Sequence, residues 1–124
     1  MPMGIPGQPQ CPPAGIRSVR DVVVPAEKYP ETARHIREAQ ANGQPQILTI
    51  DRGGAKGRRA DAMDGNPVVP GRDRDEYPPA MFREGGAGAS VRPISPSDNR
   101  GAGSCMGAQC RGLADGTPVR IIPR

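Results

Sequence analysis

The sequence predicts an α+β domain, and three observations predict it. Short aliphatic and β-branched runs alternate with segments of helical period, Gly- and Pro-rich connections separate them, and no internal repeat is visible. The chain of 124 residues has room for one domain. Only 35% of residues are apolar, and 17 Gly with 16 Pro exceed a quarter of the chain, a composition close to that of disordered proteins. Their placement argues otherwise. They cluster near the N-terminus and in the connections, which predicts a flexible leader over residues 1–15 and a folded domain over residues 16–124.

The elements follow in order. Arg17 to Val24 reads as a strand broken by Pro25. Tyr29-Pro30-Glu31-Thr32 opens a helix: Pro is tolerated in a first turn, Glu31 suits the positive end of the dipole, and Ala33, Ile36 and Gln40 share a face until Asn42-Gly43 stops it. Ile47 to Ile50 is a short buried strand, and Ala55 to Met63 a basic helix carrying Lys56, Arg58 and Arg59. After a loop over Gly65 to Gly71 and an acidic block, Ala80-Met81-Phe82 is expected as a strand, turned back at Gly85 to Gly88 to pair with Ser90 to Ile94. Ser95-Pro96-Ser97-Asp98-Asn99 is rich in capping residues and starts a helix running through Ala102 towards Gln109, and Val119 to Ile122 makes a final strand.

The net charge is +4, and 15 of the 17 cations are Arg. Arginine presents a planar fork of donors matched to phosphate, so this bias favours a phosphodiester partner more than the modest net charge does. No apolar run has membrane-spanning length, so no membrane partner is expected. Met1 does not begin a charged segment followed by an apolar one, so any export leader is expected to have been removed, or the chain to be a piece of a longer protein. Of three cysteines, Cys105 and Cys110 are expected to form a disulfide stapling a short turn after a helix, with Cys11 free in the leader. Three cysteines and the single, distant His35 do not make the paired spacing of a zinc site.

Candidates for chemistry concentrate between Asp73 and Asn99. Asp73, Asp75 and Glu76 crowd three carboxylates around Arg74, so repulsion should raise at least one pKa while Arg74 or a metal restrains the others. In an extended chain Asp73 and Asp75 share one face and Arg74 and Glu76 the other, which forces a choice between Asp75 and Glu76 as the group facing substrate. Taken alone, the block reads more readily as a solvated charge run before a strand. Ser97-Asp98-Asn99-Arg100 stands where a loop enters a helix, a place that offers side-chain oxygen to a hard divalent ion, or simply caps the helix. Glu84 belongs to the turn, with at most a supporting role, and His35 is assigned to a helix surface rather than to base catalysis.

Five blocks in order, Tyr29-Pro30-Glu31-Thr32 with His35-Ile36, Thr49-Ile50-Asp51-Arg52, Asp73-Arg74-Asp75-Glu76-Tyr77-Pro78, Glu84 to Ala89, and Ser95 to Ser104, together resemble the NucA/NucB family of deoxyribonucleases from about Tyr29 onward. The resemblance implies a non-specific endodeoxyribonuclease, usually secreted, with one divalent ion, magnesium or manganese, in a ββα-metal-like core of hairpin and helix. It implies Asp75 or Glu76 as base in place of that wider group's histidine, Asn99 as metal ligand, Arg74 or Arg100 as phosphate clamp, and Gln109 and Arg52 on the substrate side. Tyr77 stands where many members have tryptophan, and Cys105 where others have an aromatic, which would remove rings available for stacking on bases. The expected partner is DNA, met as a monomer. A toxin domain would add an immunity partner, and the reading from a different class is a non-catalytic, Arg-rich nucleic-acid-binding module.

Overall fold

The computed structural model describes residues 18–124. The proposed leader and Cys11 lie outside the described residues. In chain order the elements are β1 (Arg20–Val24), α1 (Pro30–Ala41), β2 (Ile47–Thr49), a 3-10 turn (Arg52–Gly54), α2 (Ala55–Met63), β3 (Asp73–Tyr77), β4 (Ser90–Ile94), α3 (Pro96–Cys110) and β5 (Pro118–Pro123). The α+β class therefore holds, and β3, β4 and α3 form the hairpin-plus-helix core.

Two sheets share the work. In the first, β5 is central, parallel to β1 and antiparallel to β2. The two-residue period buries Val22 and Val24, Leu48, and Val119 and Ile121 on one face, where Ala33, Ile36 and Ala39 of α1 and Ala102, Met106 and Cys110 of α3 close the core. The second sheet is the antiparallel ribbon β3–β4, with Asp75 opposite Arg92 and Tyr77 opposite Ser90.

One expectation fails here. The strand pairing with β4 is the acidic block itself, Asp73–Tyr77, and not Ala80-Met81-Phe82. Phe82 instead makes a single bridge to Ile50, beside bonds from Asp51 N–H to Met81 O at 2.8 Å and Arg83 N–H to Thr49 O at 2.8 Å. The segment thus covers the outer edge of β2, and Glu84 completes the cover by accepting from Thr49 N at 2.8 Å and Thr49 Oγ1 at 2.9 Å. Charged residues are poor predictors of a strand, but a ribbon with a helix on each face gives every charge its own partner.

The two long helices cap each other. Asp98, in the first turn of α3, accepts from Glu31 N at 2.9 Å, Thr32 N at 3.0 Å and Thr32 Oγ1 at 2.6 Å, all in the first turn of α1. Reciprocally, Glu31 accepts from the backbone N–H and the hydroxyl of Ser95, the N-cap of α3. Each carboxylate satisfies orphan donors of the other helix and faces its positive end. The close crossing needs Gly101, where a Cβ would stand 2.5 Å from Tyr29 Cε1.

The disulfide is corrected. Cys105 and Cys110 both lie within α3, where five residues at about 100° each place them roughly 140° apart on the helix. Both are free thiols, and burial pushes the Cys110 thiol up. Asp98→Ala is expected to destabilise the fold by about 2 kcal/mol in denaturant unfolding, because it orphans donors at a buried helix start. A change below about 0.5 kcal/mol would show that the cross-cap contributes nothing measurable.

Candidate active site

A cleft of about 430 Å³ opens along β3, lined by all four residues of the acidic block together with Arg59, Asn99 and Arg100. β4 is the only ladder partner of β3 among the described residues, so its other edge is unpaired and side chains from both its faces reach the cleft. The alternation read from sequence is present. Asp73 and Asp75 turn to α3 and α1, while Arg74 and Glu76 turn to α2 and the loop after it.

Each acidic side chain has a different partner. Asp73 accepts from Asn99 Nδ2 at 2.9 Å and from Arg100 Nε at 3.0 Å and Nη2 at 3.1 Å. The Arg100 bonds first, then that of Asn99, hold its carboxyl below the usual range. Because the Asn99 amide nitrogen is committed to Asp73, its Oδ1 is the oxygen left over, with no partner among the described residues. Asp75 Oδ2 meets His35 Nδ1 at 2.6 Å. Glu76 has a long ion pair, Arg59 Nε to Oε1 at 3.7 Å, and accepts a backbone hydrogen bond from Ala80, while its Oε2 is buried without a hydrogen-bond partner among the described residues. Its pKa is raised, chiefly by burial, with the Asp75 charge a smaller push and Arg59 the main opposing pull. The expected raised carboxyl exists, but desolvation raises it more than repulsion. Arg74 forms no ion pair with the block, but its charge adds a small downward pull on Glu76; its Nη1 donates to Asn66 O at 2.8 Å and the residue lines the cleft.

Several expected site residues stand elsewhere. Gln109 docks α3 on the edge strand β1, its Oε1 accepting from Val23 N at 2.8 Å and its Nε2 donating to Val23 O at 2.7 Å, as a strand's peptide group would. Arg52 clasps the end of α3 through Cys110 O at 3.0 Å and Leu113 O at 2.9 Å, with Asp115 alongside. Neither lines the cleft. Tyr77 is buried, its hydroxyl donating to Pro45 O at 2.8 Å and accepting from Gln40 Nε2 at 2.9 Å, and burial pushes its pKa up to about 12. It is a core residue, so the concern about a missing base-stacking ring does not apply at this position. Cys105 likewise staples no turn and instead approaches Val23 O at 3.8 Å.

His35 overturns its surface assignment. It is 0% exposed, on the same buried face of α1 as Thr32, Ile36 and Ala39, and joins Asp75 to Ser90. Its place on the apolar side of the helical period was a signal in the sequence. The cation nearest Glu76, Arg59, was visible only as one charge of a basic helix.

A model of the family described as deoxyribonuclease NucA/NucB matches residues 32–122, which includes the whole cleft. The chain belongs to the NucA/NucB family. Among its relatives is a DNA-entry nuclease of Bacillus subtilis (strain 168), 52% identical over 95 residues. The match covers 77% of this chain and 65% of the relative, so the chain spans less than two-thirds of that protein's length. Since Arg52 is a clasp on α3, Arg52→Ala is expected to lower stability by about 1 kcal/mol in chemical denaturation. An unchanged unfolding midpoint would show that the clasp contributes nothing measurable.

Proposed function

We propose that this chain is a metal-dependent endonuclease hydrolysing DNA phosphodiester bonds with little sequence preference, with Glu76 as the base. One observation carries the reading: a half-buried carboxylate with a buried, unpartnered oxygen and a raised pKa shares a cleft with an asparagine oxygen oriented by Asp73. Asp75 is the weaker choice for base because His35 already occupies Oδ2.

The residues fit a hard, hydrated cation. No group of three or more His, Cys, Asp or Glu side chains among the described residues could hold a metal, so a tight protein cage is not what the cleft offers. Magnesium and manganese suit a site with few protein oxygens, because they keep much of their water shell. Asn99 Oδ1 would hold the ion, which when bound supplies positive charge against the phosphate oxygens. Glu76 accepts the proton of the attacking water as the new P–O bond forms and the ester P–O bond breaks. Arg74, with one donor used on Asn66, keeps the remainder of its fork for the phosphate. Arg100 is already held by both oxygens of Asp73 and serves the site first by keeping that carboxylate in place for Asn99.

The name of the Bacillus relative ties it to DNA entry, and an extracellular site of action belongs to the same proposal for this chain. Among the described residues no helix is long and apolar enough to cross a membrane.

Purified protein is expected to nick supercoiled plasmid with magnesium or manganese and to stop when the ion is chelated. DNA retardation without cleavage would support the non-catalytic module instead. Glu76→Gln should lower turnover by at least about 100-fold, whereas Asn99→Ala should shift the cation dependence to higher concentration. An active Glu76→Gln beside an Asp75→Asn variant inactive at saturating cation would transfer the base role to Asp75.

The pH dependence has a definite sign. A base with a raised pKa loses activity as pH falls through that pKa, so the acid limb of kcat/KM should lie above the ordinary carboxylate range. Arg59→Ala removes the cation that lowers the Glu76 pKa and should move the limb to higher pH; a limb that stays put or moves down refutes the assignment. The linkage is consistent: a carboxyl whose folded pKa is raised above its unfolded value opposes folding progressively as pH rises through that window, so Glu76→Gln should not lower the melting temperature at neutral pH.

A further inference from the structure

His35 has the contacts of a group that acts through another. Its imidazole is fully buried between α1 and the ribbon, with Nδ1 2.6 Å from Asp75 Oδ2 on β3 and Nε2 2.9 Å from Ser90 Oγ on β4. A carboxylate can only accept, so Nδ1 carries the proton in this contact, and the rotating hydroxyl of Ser90 can satisfy Nε2. One ring therefore engages both strands of the ribbon. The side chain it holds belongs to the cleft: Asp75 lines it, and its Oδ1 has no partner among the described residues. With both nitrogens matched, the buried imidazole is a satisfied, rigid link between the two strands.

We propose that His35, backed by Ser90, is a positioning residue that fixes the Asp75 carboxylate as an oriented anion at the cleft, where it strengthens the hold on the hydrated cation. The inference rests on the nuclease reading above. A freely rotating Asp75 would have to be ordered each time the cation entered. Held at one oxygen by His35, it presents the other in a single arrangement, on the face of β3 that also carries Asp73 and, through it, Asn99. Outer partners that orient an anion in this way typically change metal affinity by about 10–100-fold when removed. The direction of support runs from the core outward: Ser90 sets His35, His35 sets Asp75, and Asp75 faces the cation.

The test is calorimetric titration of magnesium and of manganese into DNA-free protein, with thermal unfolding recorded alongside. His35→Leu removes both ring bonds while retaining bulk, and about a tenfold weaker cation affinity is expected. His35→Asn keeps a donor near the Nδ1 position and should recover most of that affinity. Ser90→Ala, which opens almost no space, should weaken it by a smaller factor and serves if His35→Leu does not fold. A purely structural histidine would lower the melting temperature and leave the cation affinity of folded protein unchanged. Wild-type affinity in folded His35→Leu, or in Ser90→Ala where His35→Leu does not fold, of a protein that cuts DNA would overturn the positioning role alone. A wild-type protein that neither binds the cation nor cuts DNA would overturn this role and the nuclease reading together.

Discussion

The cross-capping of α1 and α3 is the contact on which the rest of the structure depends. A helix start carries unsatisfied N–H groups and partial positive charge, and here two such starts meet. Asp98 serves the first turn of α1 and Glu31 serves the N-cap of α3, so neither helix can move along its axis without losing the other's cap. The positions of the chemistry follow. Asn99 is the neighbour of Asp98, and His35 lies three residues beyond Thr32, so fixing the two starts also fixes the groups that meet Asp73 and Asp75.

Between these helices and α2, the ribbon solves a problem of charge density. Three carboxylates within four residues would repel if they shared one environment. The pleat sets Glu76, loosely paired with Arg59, on the opposite face from the two aspartates, and partners from different helices divide those, Arg100 and Asn99 taking Asp73 and His35 taking Asp75. The result is three carboxylates of different character. Asp73 has its proton affinity lowered by hydrogen bonds, while Glu76, half-buried with one buried oxygen unpartnered, has it raised. An orphaned carboxylate oxygen opposes folding, and such local opposition concentrates where function requires it.

The periodic segments were legible from sequence because their cause is local. Pro30 and Glu31 mark the start of α1, the alternating aliphatics of Val22 to Val24 and Val119 to Ile122 mark one-sided strands, and the capping run before Asn99 marks α3. The acidic strand was not legible, since Asp and Glu have low strand propensity and only the partners on each side of the ribbon make that conformation favourable. The same reason explains the exchange between Ala80-Met81-Phe82 and Asp73–Tyr77: hydrophobicity marked Phe82 for burial, which it has, but burial does not say which strand it borders.

By itself the sequence determined the α+β class, the order of the helices and of every strand but the acidic one, the family, and the concentration of candidate chemistry between Asp73 and Asn99. Each of these follows from residue type and order along the chain. Only the tertiary structure decided the partners: Gln109 and Arg52 turned to scaffolding, Cys105 and Cys110 left apart, and His35, 40 residues from Asp75 in sequence, set against it. Hydrogen bonds over such separations depend on how elements dock, and docking is fixed by caps and core contacts that no local pattern records.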